Sequence, residues 1–207
     1  QMKKGSSFFL VFSSNTPIGF AQCGLRYDYV EGTQSSPVGY LEGVFIKEAY
    51  RGKGYADKAL WLLLQHTFED MNAEAVHNDF EDNRVAALKA HLSVGFTEYR
   101  RENGIIELLI TREQYFRQKA IRRMTAEISR ILADNQPSIY LYGSSVMNDF
   151  RLGWSDIDIL VLTKKSISAS QAKELVTLRQ RLLEAEPDNP YYRLFEGGML
   201  SLSAFIS

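Results

Sequence analysis

A single cysteine, Cys23, is the whole thiol content of this 207-residue chain. That excludes an internal disulfide and any metal site built from cysteines. It fits a small core residue in a reducing compartment, so a cytoplasmic location is expected. Long apolar runs are missing too: no stretch approaches the roughly 18–20 residues that span a bilayer, and the lysines near the amino terminus are not followed by a signal-cleavage pattern. The chain also lacks net charge. With 24 Lys+Arg against 25 Asp+Glu it carries −1 at neutral pH, so no global basic field argues for nucleic acid or a membrane surface as partner. A cationic small molecule held by local acidic clusters remains compatible.

The 45% apolar content is that of a chain that buries a core, and the length admits one large or two small domains. Aromatic and β-branched residues at 8–12, closed by polar residues through Pro17, and a second run at 18–26 predict a hairpin. Residues 27–37 are polar and turn-rich, and 38–46 read as a third strand without clean alternation. From 55 to 71, Ala56, Ala59, Leu60, Leu63, Leu64 and Phe68 recur at helical spacing. A strand at 73–78, a helix at 83–93 ended by Gly95, and strands from 96 and at 105–110 complete a first domain expected over residues 1–112. A long charged helix follows at 111–133, overlapping a helical connector expected at 113–136; its basic residues predict a solvated face rather than a nucleic-acid surface. The remainder, 137–207, is expected as a second small domain, with strands at 138–144, 156–161 and 192–205, a helix at 171–183 and a turn at 187–190.

Between the third strand and its helix lies Arg51-Gly52-Lys53-Gly54-Tyr55-Ala56. Two glycines let a ligand approach the backbone, and the turn aims successive N–H groups and the positive end of the helix at an anion, a phosphate-binding layout. By itself a Gly-x-Gly is as often a plain turn. With its flanks, the pattern resembles the acetyl-CoA pyrophosphate loop of the GCN5-related N-acetyltransferases. Arg26-Tyr27-Asp28-Tyr29-Val30 and Ser36-Pro37-Val38-Gly39-Tyr40-Leu41-Glu42-Gly43-Val44-Phe45 resemble the aminoglycoside 6'-N-acetyltransferases within that superfamily. The likeness runs from about residue 8 to about residue 110. It implies an α+β fold with a mixed sheet flanked by helices on both faces, acetyl-CoA as cofactor, an aminoglycoside amine as substrate, and a homodimer. Relatives begin with a further strand and two helices that form part of the acceptor wall. This chain is expected to start at their second strand, either truncated or completed by a partner.

The resemblance also implies roles. The backbone of Val44, Phe45 and Ile46 would take the pantetheine arm as an added strand, with Arg51, Gly52, Lys53, Gly54, Tyr55 and Ala56 around the pyrophosphate. Glu42, expected on one strand face with Val44, would bind the cationic amine and accept its proton; read alone, a strand glutamate is a solvent-facing residue. Asn78 stands where near relatives carry a catalytic aspartate, and Asp79 follows it. Asn83 matches an asparagine that contacts the cofactor arm and equally reads as a helix cap. His91 stands where many relatives carry a tyrosine that protonates the departing thiolate, and a helix histidine packed against the sheet fits as well. Asp28, Glu31, Asp79, Glu81 and Asp82 would rim a site for a polycation, or serve solvation only. His66 and His77 lack metal-ligand spacing and read as surface or rim residues.

In the second domain a strand ends in Gly143-Ser144 and, after a spacer of 11 residues, Asp156-Ile157-Asp158 opens another. This resembles the signature of antibiotic nucleotidyltransferases. Residues two apart on a strand share a face, so Asp156 and Asp158 would jointly hold a divalent metal, Mg²⁺, while Gly143 and Ser144 donate to a nucleoside triphosphate. Glu196 falls where such enzymes carry a third carboxylate, a ligand or general base, and equally reads as an exposed strand residue. Their usual C-terminal helical domain has no counterpart here, so this small α/β module is expected to be incomplete.

Overall fold

The structure, a computed structural model, describes residues 5–28, 32–146 and 150–206. The chain folds as two compact units, Gln1–Tyr115 and Phe116–Ser207. In the first, the apolar runs pair as β1 (Ser6–Ser13) and β2 (Thr16–Arg26), an antiparallel hairpin whose turn places Ser14 at φ 52. β3 (Val38–Ile46) adds to β2, and the glycine turn leads into α1 (Tyr55–Gln65). β4 (Ala75–Glu81), α2 (Val85–Ser93), β5 (Thr97–Glu102) and β6 (Ile105–Thr111) follow, giving the sheet order β1-β2-β3-β4-β6-β5.

Only β3 and β4 run parallel among these neighbours, and their pairing covers just Val38–Ala75, Gly39–Val76 and Tyr40–His77. β3 then continues to Ile46 and β4 to Glu81 without bonding one another, so the sheet parts in its middle. The helices that link these strands, α1 and α2, share one face of the sheet. The connections β3-α1-β4 and β4-α2-β5 step across the sheet in the same direction, and right-handed crossovers in one direction place their helices on one side. Gly39 marks how close that layer sits, since a Cβ there would collide with Thr67 Cγ2. Leu60, Leu64, Phe68, Val76, Leu108, Ile110 and Tyr115 fill the space between.

The periodicity over 55–71 hides a change of helix type. After Gln65 the chain makes one π turn, His66–Asp70, where buried Thr67 donates its hydroxyl to Leu63 O at 2.7 Å. Arg112 closes this end, its Nη1 donating to Phe68 O and Ala73 O at 2.8 and 2.9 Å. Hydrogen bonds to a charged donor of this kind contribute about 1.5–3 kcal/mol each.

The expected connector is α3 (Arg112–Ile131), and in the second unit it is core rather than spacer. Ala120, Ile121, Met124, Ile128 and Ile131 pack with Ile157, Ile159 and Val161 of β8 (Ile157–Thr163) and Leu178 and Leu182 of α4 (Ala169–Ala185). Three of its basic residues have partners within the unit: Lys119 pairs with Glu186 at 3.0 Å, Arg130 with Glu127 at 3.1 Å, and Arg117 lies 4.5 Å from the Phe150 ring centre. β7 (Ser138–Tyr142) runs antiparallel to β8, and β9 (Phe195–Ser201) parallel to it. The strand expected at 192–205 is shorter than that, because Asn189 and Pro190 start a 3-10 turn before it and Ser201 caps a last helical turn, α5 (Leu202–Phe205), after it. Among the described residues, no helix is long and apolar enough to cross a membrane.

Candidate active site

Glu42 owes its position to a β-bulge. Gln22 faces Gly43 and Cys23 faces Leu41, which leaves Glu42 as the extra residue of β3. Bulges bend a strand and re-aim a side chain. Glu42 is exposed and accepts a hydrogen bond from the Gln22 amide on the face opposite the helices. The bulge also shifts the alternation beyond it, so Phe45, opposite Phe20, lies on the Glu42 face while Val44, opposite Ala21, does not. The expectation that Glu42 and Val44 share a face is corrected accordingly.

Beside Glu42, Tyr40 is held from both sides. The Arg26 guanidinium sits 3.8 Å above its ring centre, and the His77 imidazole stacks on it at 5.6 Å. This leaves the Tyr40 hydroxyl one direction, and it donates to Asp79 Oδ1. Burial, then the hydrogen bond and charge of Asp79, push the Tyr40 hydroxyl up to about 12, so it stays a donor throughout the neutral range. His77 is buried, with Nε2 2.9 Å from the Tyr99 hydroxyl, which in turn donates to Glu107. Burial holds His77 below its ordinary value against the pull of Asp79 and Glu107. For Glu107 burial acts upward, but hydrogen bonds from Tyr99 and Arg100 keep it below the usual carboxylate range. His77 is thus no rim residue: it is one layer of an ordered polar cluster that also holds Tyr40, Asp79, Tyr99 and Glu107.

Asn78 and Asp79 separate because β4 runs on to Glu81, so consecutive side chains take opposite faces. Asn78 points to the helix face, its amide 2.7 Å from His91 Nε2. His91 also bonds Ala87 O through Nδ1 at 2.8 Å and lies between the rings of Phe80 and Phe96. Burial keeps it below its ordinary value. Both its ring nitrogens are thus engaged on the helix face of the sheet. Asn83 is exposed just before α2 and makes no side-chain cap there. Asp28, Glu81 and Asp82 are exposed, and Glu31 lies outside the described residues.

The glycine turn is built open. Gly52 and Gly54 adopt φ 71 and 75, and nothing lies within 4 Å of where their side chains would be. Arg51 turns back, Nε to Ile46 O at 3.0 Å, and Lys53 bonds Ala49 O at 3.1 Å. The two cations therefore brace the loop, leaving the amides of the turn and the first turn of α1, through Tyr55 and Ala56, as the groups free to meet an anion.

In the second unit Gly143 has φ 69, and a Cβ on it would collide with Asp158 Oδ2. Asp158 stands opposite Tyr142 on one side and Glu196 on the other, so Asp158 and Glu196 share a face; Asp156 is exposed immediately before β8. Ser144 lies in the 3-10 turn that Gly143 begins. No group of three or more potential ligands is gathered among the described residues.

The first unit therefore brings together a mixed sheet parted at its centre, a glycine turn and helix after β3, and Glu42 and Asp79 on the face opposite the helices. Residues 1–96 match the acetyltransferase (GNAT) family, and residues 121–190 match the nucleotidyltransferase domain. The first unit is thus similar to GNAT domains over most of its length, and the second to nucleotidyltransferase domains over residues 121–190. The aminoglycoside N(6')-acetyltransferase type 1 of Stenotrophomonas maltophilia is 36% identical over 98 residues, covering 47% of this chain and 63% of the relative. A spermine/spermidine N(1)-acetyltransferase of Bacillus subtilis is 33% identical over 79 residues, covering 38% and 51%. The crystal structure of an aminoglycoside 6'-N-acetyltransferase from Acinetobacter haemolyticus is 28% identical, covers 48% of this chain and 68% of that one, and gives a TM-score of 0.43. The chain spans less than two thirds of the length of these curated relatives.

Tyr40, His77, Tyr99 and Glu107 were not expected at the site from sequence. Period-two alternation would have put His77 beside Asp79 and Tyr40 beside Glu42; Tyr99 and Glu107 join them only through the pairing of β5 and β6.

Proposed function

We propose that the first unit transfers the acetyl group of acetyl-CoA to an amine of an aminoglycoside, the 6' amine by likeness to its relatives. The observation that carries this reading is the parted seam between β3 and β4, which opens beside Glu42 and Asp79 and leads to the glycine turn. The unpaired edge of β3 from Val44 to Ile46 suits an extended, amide-bearing arm, and the amides from Gly52 to Ala56 suit its pyrophosphate. Glu42 and Asp79 attract the ammonium, and either carboxylate removes its proton directly or through one water, freeing the lone pair for the thioester carbonyl. Tyr40 positions Asp79. The acid that meets the departing thiolate is not His91 in this arrangement, since both its nitrogens are bonded.

The test is release of CoA thiol from acetyl-CoA with an aminoglycoside, with spermidine, and with neither. Drug-dependent release that falls more than about tenfold in Glu42→Gln, about 1.4 kcal/mol of transition-state stabilisation, is the expected result. Spermidine-dependent release alone would move the reading to polyamines, and no amine-dependent release would end it.

For the second unit the proposed activity is nucleotidyl transfer. Asp156, Asp158 and Glu196 offer only oxygen donors, which suits Mg²⁺ bound by one or two carboxylates and the nucleotide phosphates. The space that Gly143 leaves for the Asp158 carboxylate fits that use. The metal would supply charge stabilisation at the α-phosphate; Asp158 and Asp156 would hold it, and the turn at Gly143 and Ser144 would orient the phosphates.

A further inference from the structure

We infer that Tyr99 and Glu107 are positioning residues for the acetyl-transfer site: acting through His77, they hold Tyr40 and Asp79 in place and keep the imidazole beside them neutral. The inference rests on the acetyl-transfer reading and adds to it two residues that touch neither donor nor amine.

Tyr99, like Glu42, owes its place to a bulge. Glu98 faces Leu108 and Arg100 faces Glu107, which leaves Tyr99 as the extra residue of β5, and a bulge re-aims the side chain it carries. The Tyr99 ring is also fixed by Gly32, at φ 88, where a Cβ would meet the ring at 2.7 Å. On β6, Glu107 stands directly opposite Asp79 of β4. Two carboxylates facing each other across a strand pair repel. Glu107 is compensated on both oxygens: Oε1 accepts from Arg100 Nε and Nη2 at 2.9 and 2.6 Å, and Oε2 accepts from the Tyr99 hydroxyl.

The direction of these bonds decides the state of His77. Glu107, held below the usual carboxylate range, is a pure acceptor, so the single Tyr99 proton goes to it. The Tyr99 oxygen then accepts from His77 Nε2, 2.9 Å away, which makes Nε2 the protonated nitrogen. Glu107 itself is 3.9 Å from Nε2, beyond hydrogen-bond reach, so Tyr99 carries the link. Nδ1 is left with the lone pair; it is buried and has no hydrogen-bond partner among the described residues. A proton there would be a buried donor without an acceptor. His77 therefore stays neutral although Asp79 and Glu107 flank it, and Arg26, on the other side of Tyr40, acts in the same sense as burial.

Neutrality matters to the proposed chemistry. An imidazolium beside Asp79 would pair with the carboxylate that is to receive the ammonium, and would repel the ammonium as well. The ring plane matters too: His77 stacks on Tyr40 at 5.6 Å with 21° between the planes, and the Tyr40 hydroxyl bonds Asp79. The contacts thus run from Glu107 through Tyr99, His77 and Tyr40 to Asp79, and so begin and end on residues that face each other across β4 and β6.

The test joins nitrogen NMR of the imidazole side chains in the full chain, which reads the protonated nitrogen without substrate, to drug-dependent thiol release. The His77 signals are those missing from His77→Gln. At neutral pH the unaltered protein should show a protonated Nε2 and a bare Nδ1. Glu107→Gln should reverse them: Arg100 keeps the amide oxygen, the amide nitrogen donates to Tyr99, and Tyr99 donates to His77 Nε2. Tyr99→Phe should lower kcat about fivefold, the scale of one uncharged hydrogen bond, and this loss should vanish in a Tyr40→Phe background, because both act on Asp79 by one route. A protonated Nδ1 in the unaltered protein, no reversal in Glu107→Gln, or losses that multiply in the double variant would each overturn the inference alone. No drug-dependent release from the unaltered protein would overturn acetyl transfer, and this role with it, whatever the tautomer.

Discussion

Replacing Tyr40 by phenylalanine removes one hydroxyl and keeps the ring that Arg26 and His77 enclose. What is lost is a single hydrogen bond to the Asp79 carboxylate. Bonds to a charged partner contribute about 1.5–3 kcal/mol, and about 1.36 kcal/mol is a decade in rate, so kcat/KM for drug-dependent acetyl transfer should fall by about 10- to 150-fold. The loss should be the same from about pH 6 to 9, because the hydroxyl, pushed up to about 12, is protonated over that whole interval. Steady-state thiol release by both proteins at several pH values measures this. A loss under about twofold would show that Asp79 needs no positioning by Tyr40, and a loss that vanishes as pH rises toward 9 would show that Tyr40 ionises far earlier than its surroundings require.

Two further outcomes follow from the geometry. Gly143→Ala puts a side chain at φ 69 and into Asp158 Oδ2, so urea unfolding should show the second unit weaker by about 1–2 kcal/mol and calorimetry should show Mg-nucleotide affinity down about tenfold; unchanged affinity would separate the turn from the site. His77 and His91 are both held below their ordinary values by burial, so the unfolded chain takes up protons that the folded one refuses. Their contribution is present above an unfolded pKa of about 6.5 and is lost as pH falls through the lower folded values. The thermal midpoint of the first unit should therefore drop between pH 7 and 5, less steeply in His91→Gln, and an equal slope in that variant would sink the assignment to His91.

Strong periodic patterns in the sequence carried most of the architecture. The hairpin, β3, the helix behind the glycine turn and the order of the remaining strands are all set by local alternation and turn chemistry, and they read through. The π turn did not, because His66–Asp70 keeps the same apolar face as the helix before it and only the Thr67 bond and the Arg112 cap distinguish it. The expected end of β4 at residue 78 was short of its true end at Glu81, and that difference decides which of Asn78 and Asp79 meets Tyr40. The bulge at Glu42 depends on pairing with β2, so no reading of β3 by itself could place Phe45 on the Glu42 face. The helix expected as a connector showed its apolar stripe plainly; what sequence could not supply was the partner that stripe packs on.

The brief pairing of β3 with β4 bears on how such a chain fares in a cell. Two raw strand edges inside a sheet invite pairing with any passing extended segment, and a bound arm that fills the seam removes the invitation while adding ligand-linked stability. The concentration of the acetyl donor would then govern how much of the protein persists against aggregation and proteolysis, as well as how fast it works. On the proposed acetyl-transfer activity, a cell short of that donor would lose capacity twice, once through slower turnover and again through fewer intact molecules.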